Sequence, residues 1–467
     1  MGQVLRGLSS LVLIPIYTTH LAPAEFGLVE LLTVVIDFAA LLIGGRLGIA
    51  LFKYYHEATS EEQKRKVVST ALVSASLANL AAIVLIAILS QGAAEWSSVP
   101  EGFNTALRVL SITLVLNAFN EVFFSYLRLK ERPKAYVTAN LLRFVGQLLL
   151  NILFIVYLGF GYWGIILAAV ISSAILALLF ACWLLPRIGI TFSREYATRL
   201  FLFSFPLVIS ALGLYYVTLG NRYFLKLYQG LAAVGIYALA HKLGLTFMSL
   251  AWGPFATFWN TKQFEYARGP DAHRFFGTVF LYLNFVLMPA AVGVVVLTPH
   301  FLRIFATADY APAIALVPWI VAAAIVQCWT DYLRFGIFHA SRNRHLTYGT
   351  LISAVLVTLL YIWWIPREGA LGAAKASFVA LTVRLGYFAA VGCKFFPIDV
   401  PWGRFAVLSA CFLAAHALLA SWSLPDGIAM VVKGGIIVAI AIALAASPLT
   451  FPQHRALVTE WLARRRN

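Results

Sequence analysis

Residues 137–186 read VTANLLRFVGQLLLNILFIVYLGFGYWGIILAAVISSAILALLFACWLLP, an apolar stretch too long for one membrane crossing and long enough for two. A helix rises 1.5 Å per residue, so about 20 mostly apolar residues cross ~30 Å of hydrocarbon. Gly159-Phe160-Gly161 lies near the midpoint. Glycine tolerates the left-handed backbone of a tight reversal. The stretch therefore reads as a hairpin of two spans, 137–159 and 161–186.

Working outward, apolar runs bounded by polar turns predict helices at 4–20, 25–50, 66–91, 104–126 and 198–221 around that hairpin. A second set follows at 232–258, 275–302, 311–333, 346–365, 369–393, 403–421 and 427–447. The fold class is an all-α membrane protein of about fourteen transmembrane helices. Composition agrees: 61% of the 467 residues are hydrophobic, 12% are charged and mean hydropathy is +0.86. Soluble domains sit near ~45–50% apolar and ~25% charged. No stretch between spans is long enough to fold as a soluble domain.

The net charge of +16 suggests nucleic acid at first sight. Short cytoplasmic loops of membrane proteins collect Lys and Arg because positive loops resist translocation, and that accounts for the charge, so no nucleic-acid partner is expected. One alternating set of loops carries most of the cations; the other holds only Arg222, Lys226, Arg303 and Arg367. The alternation predicts an even number of spans with both termini in the cytoplasm. Cys182, Cys328, Cys393 and Cys411 fall in or beside apolar segments without a C-x-x-C pair, which supports neither a disulfide framework nor a metal site. The opening MGQVLRGLSSLVLIPIYTTHLAPAEFG lacks a small-x-small cleavage site and reads as a retained first span.

An internal repeat is legible. THLAPAEFGLVELL in the first half matches LYQGLAAVGIYALA in the second, aligning Gly27 with Gly235. NAFNE (Asn117 to Glu121) matches QCWTD (Gln327 to Asp331), and GYWG (Gly161 to Gly164) matches GALG (Gly369 to Gly372). An even number of helices separates the copies, so they share one orientation, as in transporters built from parallel repeats. The expected organisation is a six-helix N-terminal lobe at 1–190, a six-helix C-terminal lobe at 191–395, and two extra helices with a basic tail at 396–467.

No Walker A loop, G-x-S-x-G or H-E-x-x-H occurs, and no loop is large enough to house chemistry, so an enzyme is not expected. Charge inside the spans remains. Ionised groups at mid-bilayer cost roughly 2.5–3.5 kcal/mol on insertion scales and need a partner, water or a function. The acids are Glu30, Asp37, Glu121 and Asp331; the cations are Arg46, Arg143, Lys242, Lys375 and Arg384. Glu121 and Asp331 each follow an amide by four residues, on one helical face. Such acids suit internal ion pairing, for example Glu121 with Arg143, or ion coupling to H+ or Na+. The cations would line a cleft between lobes that attracts a pyrophosphate, or pair individually with Glu30 or Asp37. Arg108 and Lys433 lie nearer span ends, where long side chains snorkel. His241 reads as a satisfied interior histidine. Trp252, Trp259, Trp363 and Trp364 read as interfacial anchors, and Pro15, Pro206 and Pro254 interrupt helices one, seven and eight.

LVLIPIYTTHLAPAEFGLVELL, with its proline-bearing first span and Glu25-Phe26-Gly27 turn, resembles the first two helices of polysaccharide-biosynthesis flippases. These are the O-antigen (Wzx-type) branch of the multidrug/oligosaccharidyl-lipid/polysaccharide exporter superfamily. FSYLRLKERPKAYVTANLLRFVGQLLLNILFIVYLGFGYWGIILA resembles that family's fourth-to-sixth-helix region. The resemblance implies a two-lobed, alternating-access flippase in the bacterial inner membrane. It would move undecaprenyl-pyrophosphate-linked oligosaccharide between leaflets without a cofactor, alongside membrane lipids and polysaccharide polymerase and chain-length machinery. Phe52-Lys53-Tyr54-Tyr55 carries Lys where related sequences often have Arg. The two extra helices are similar to the lipid II flippase branch, and a multidrug or cation antiporter of the same superfamily is the other alternative.

Overall fold

The computed structural model describes residues 12–43, 47–96, 102–342 and 344–446, and every regular element among them is helical. Helix α1 (12–20) leads into α2 (Pro23–Ile43), α3 (Leu47–Glu57), α4 (Glu61–Trp96), α5 (Phe103–Leu129), α6 (Pro133–Asn151) and α7 (Tyr162–Ile188). Then come α8 (Arg194–Leu219), α9 (Asn221–Gln229), α10 (Leu231–Phe247), α11 (Gly253–Tyr266) and α12 (Ala272–Phe305). The chain continues as α13 (Ala313–Leu333), α14 (Phe335–His339), α15 (Arg344–Glu368), α16 (Ala370–Phe395), α17 (Trp402–Ser421) and α18 (Asp426–Ala446).

The hairpin forms where its glycines require it. A π-helical turn, Ile152–Tyr157, prolongs α6, and Gly159 and Gly161 then take φ 65 and φ 54 before α7 begins. Among the described residues eleven helical segments are long and apolar enough to cross a membrane, so the expected fourteen is not reached there. The three expected spans outside that number differ in character. Residues 12–20 are helical, while the earlier part of the expected 4–20 span lies outside the described residues. The 198–221 span corresponds to α8. The 232–258 span divides into α10, a π-helical turn at Met248–Trp252, and α11 with Pro254 in its first turn.

Contacts divide the described chain into two compact units, 20–235 and 236–446 joined by 12–19. This cut is not the repeat boundary near 190: α8 belongs to the first unit and α1 to the second. In the first unit α8 packs on α2, α3 and α4, while α5 lies between α4 and α7. In the second, Thr18 of α1 donates to the Phe305 carbonyl of α12 at 2.8 Å. There α13 and α15 flank α16, and α17 and α18 pack on α12.

The repeat has a physical counterpart at each glycine pair. Gly161 (φ 54, ψ −136) and Gly369 (φ 59, ψ −133) cap α7 and α16 in one backbone conformation. A Cβ on Gly164 would stand 2.8 Å from Ile155, and one on Gly372 would stand 2.6 Å from the Trp364 carbonyl. Gly27 and Gly235 face each other reciprocally. A Cβ on Gly27 would overlap the Leu231 carbonyl, and one on Gly235 would overlap the Pro23 carbonyl. Lipid supplies no hydrophobic drive between helices, so such close backbone approach is what holds them.

Long apolar side chains such as Leu80, Val84, Ile88, Leu178, Val355, Leu359, Leu413 and Val431 remain exposed, as a lipid-facing surface demands. Trp259 departs from its expected role as an anchor. It is 2% exposed and lies nearly parallel to both Phe255 and Tyr332, with Phe276 edge-on at 4.8 Å. An indole flanked by three aromatic rings gains more from that packing than from the membrane surface. Trp363, 54% exposed, keeps an outward position.

Candidate functional site

The first unit contains a cavity of about 320 Å3 between α2, α3, α4, α5 and α8. Its polar lining is Asp37, Asn79, Asn117, Glu121 and Tyr215. Glu30 and Asp37 are seven residues apart on α2, two helical turns, and so lie on one face. Tyr215 of α8 donates to the Val34 carbonyl at 2.8 Å, which pins α8 to that face. Its hydroxyl feels Asp37, Arg222 and Glu30 electrostatically. Arg222, 1% exposed, donates to Asn221 Oδ1 at 2.8 Å and to the Thr218 carbonyl at 3.2 Å.

Asn117 and Glu121 enter the cavity from α5. Ser173 of α7 secures that helix from behind, donating to Asn117 Oδ1 at 3.2 Å and accepting at its carbonyl from Asn120 at 3.3 Å. Gly48 of α3 faces this acid: a Cβ there would stand 3.2 Å from Ser125 Oγ and 3.4 Å from Glu121 Oε1. Glu121 and Asp37 are both exposed within this arrangement. Carboxylates and amides around a cavity can bind protons or small cations.

The matched acid of the second repeat sits differently. Asp331 pairs with Arg334 at 3.1 Å and accepts from Gln327 at 3.0 Å. Gln327 in turn accepts from Arg384 at 3.2 Å, and Arg384 is 3% exposed with Phe388 beside its guanidinium. Asp331 is thus held in a chain of side chains. Lys375 pairs with Glu368 at 2.6 Å at the turn into α16. Arg143 and Lys242 are half-buried on α6 and α10. Arg46 and the basic tail lie outside the described residues. The cavity therefore gathers Asp37 and Glu121, with Glu30 close by; Arg384 and Lys375 belong to the other unit.

Sequence reasoning missed Arg222, Tyr215 and Asn79. Arg222 falls just beyond the expected end of a span and reads as a loop residue, yet α9 continues the helical path and buries it. The signal was present, because Arg222 is one of only four cations in the loops otherwise free of them. Lys433 corrects the snorkelling expectation. It is 3% exposed and contacts His300 Nε2 at 3.1 Å, while His300 Nδ1 meets Asp426 at 2.6 Å and Arg303 reaches Asp426 at 3.1 Å. This polar chain ties α18 to α12. Arg108 donates instead to Ser90 at 3.0 Å.

Among known families, the model described as polysaccharide biosynthesis protein matches residues 20–315. No curated protein matches the chain. Among solved structures, the lipid II flippase MurJ in an inward closed conformation superposes with a TM-score of 0.78 at 13% identity, covering 98% of each chain. An inward-facing multidrug resistance MATE family transporter of the MOP superfamily gives 0.67 at 16% identity, covering 86% of this chain and 96% of that one. A MOP superfamily transporter from Pyrococcus furiosus, whose binding pocket is described as reversed in polarity, gives 0.53 at 16% identity, covering 87% and 94%.

Proposed function

Because the chain belongs to the polysaccharide biosynthesis protein family and has the fold of MOP superfamily transporters, we propose that it flips a lipid-linked oligosaccharide across the bacterial inner membrane. The substrate in this reading is an undecaprenyl-pyrophosphate-linked glycan destined for O-antigen, capsule or exopolysaccharide. Transport proceeds by alternating access, with both termini cytoplasmic and with polymerase and chain-length machinery as downstream partners. The observation that carries the energetic part is the acid-lined cavity. Asp37 and Glu121 sit exposed around a space able to take water and a small cation, which supports drive by H+ or Na+. Arg46, Arg143, Lys242, Arg384 and Lys375 are the cations assigned to the pyrophosphate; of these, Lys375 also pairs with Glu368 and Arg384 donates to Gln327.

The same acidic cavity favours one other reading, a cation or drug antiporter like the MATE neighbours. Loss of a surface glycan separates the two. In cells whose surface glycan depends on this chain, Lys242→Ala and Arg143→Ala abolish glycan display while membrane levels of the protein hold. Wild-type display in both variants, together with extruded organic cations, replaces the flippase reading with the antiporter.

A further inference from the structure

A second pocket, of about 460 Å3, lies in the first unit away from the acid-lined cavity. It is formed where α3, α4, α5 and α7 end together, and its lining brings Lys64, Arg65, Lys130, Arg132 and Arg187 around a single acid, Glu61. That acid is already engaged by Lys64 at 3.0 Å and by Lys130 at 3.2 Å. A hydrogen bond to Tyr55, with Glu61 adding to it, holds the Lys130 ammonium above the ordinary lysine pKa against its partial burial. Arg65, Arg132 and Arg187 form no ion pair with a carboxylate among the described residues. Two of them share one aromatic wall: the guanidiniums of Arg187 and Arg132 lie 3.9 Å and 5.8 Å from the Trp183 ring centroid. Arg187 also donates to the Trp183 carbonyl.

Behind the cations the floor is rigid. Trp183 packs edge-on to Phe123 at 5.5 Å, and Phe123 stacks on Phe180 at 3.5 Å. Tyr55 and Tyr126 are 6% and 8% exposed. A solvated positive loop would splay its arginines into water. Here an indole holds two guanidiniums over a concavity that Arg65 also lines, in a volume typical of a small-ligand site. Arginine planes match phosphate oxygens two at a time, and basic pockets at the cytoplasmic ends of membrane helices suit lipid head groups.

We propose that this pocket binds a phosphate-bearing headgroup, gripped by Arg132 and Arg187 over Trp183 together with Arg65, at a site separate from the acid-lined cavity. Placing it in the cytoplasmic leaflet rests on the orientation proposed above; binding itself does not. Two sources share the chemistry, an anionic phospholipid and a soluble pyrophosphate, and the test separates them. The full-length chain in phosphatidylcholine nanodiscs is titrated with phosphatidylglycerol and, in parallel, with inorganic pyrophosphate, and bound ligand is counted by native mass spectrometry. Arg132 and Arg187 are both exposed, so R132Q/R187Q leaves helix packing intact, which thermal unfolding checks. Expected is retention of phosphatidylglycerol by the wild type and a fall of about tenfold in the double variant. A control, R268Q/R404Q, removes two exposed charges elsewhere and retains it. Selective retention of pyrophosphate instead, lost in the same variant, supports the site with a soluble ligand. Retention of neither over phosphatidylcholine, or equal loss in R132Q/R187Q and in the control, overturns the proposal. Glycan display plays no part in the readout, so failure here is distinguishable from failure of the flippase reading.

Discussion

Glu121 and Asp331 occupy matched places in the two repeats and have different surroundings. Glu121 opens to a cavity, whereas Asp331 is enclosed by Arg334, Gln327 and, through the amide, Arg384. Different mutational signatures follow. On the proposed ion-coupled flippase reading, Glu121→Gln slows transport and flattens its pH dependence, read as glycan export at several external pH values. A normal pH profile in that variant makes the acid structural. Asp331→Asn leaves two arginines short of an anion and costs about 2–3 kcal/mol, seen as a lower unfolding temperature in detergent. The Lys433–His300–Asp426 chain tests the same principle. His300→Ala leaves Lys433 buried without its partner and costs about 2 kcal/mol, and His300→Ala with Lys433→Met recovers most of that loss. No recovery in the double variant means that the chain is not what holds α18 to α12.

At the scale of elements, helix contacts rest on backbone approach. α2 and the start of α10 touch at Gly27 and Gly235, where the Leu231 and Pro23 carbonyls occupy the space that a side chain on each glycine would need. Gly235→Val forces the helices apart at a cost of about 3 kcal/mol or more, and the chain fails to accumulate in the membrane. Gly293→Val, at a helix position with open space around it, accumulates normally. The hairpins between α6 and α7 and between α15 and α16 depend on Gly161 and Gly369 in a backbone region that L-residues avoid. Gly161→Ala therefore strains the turn by about 1–3 kcal/mol, which thermal unfolding in detergent reads directly.

For the whole molecule, the alternation of loop charge sets orientation. Arg268 lies between α11 and α12 on the positive side of the pattern, and Asp309 lies between α12 and α13 on the other. With the four native cysteines replaced, Arg268→Cys is labelled by a membrane-impermeant maleimide in inside-out vesicles. Asp309→Cys is labelled in spheroplasts. Labelling from the reverse sides inverts the orientation, and with it the side on which the arginine pocket faces.

Hydropathy, glycine positions and loop charge carry the membrane class, the hairpins and the duplication, because these are local properties. A span announces itself by twenty apolar residues, and a reversal by glycines at the required φ. What α8 and α1 pack against is not local, and the two compact units depart from the repeat boundary for that reason. The fate of each charge is also a tertiary matter. Arg222 sits in a loop by pattern and is buried by the helix that continues past it. Trp259 has the composition of an anchor and becomes core once three rings surround it. Lys433, Lys375 and Asp331 gain partners from other turns or other helices, while Glu121 lines a cavity shared by α2, α3, α4, α5 and α8. An acid's identity is written in the chain, but what surrounds it depends on which helix faces come together.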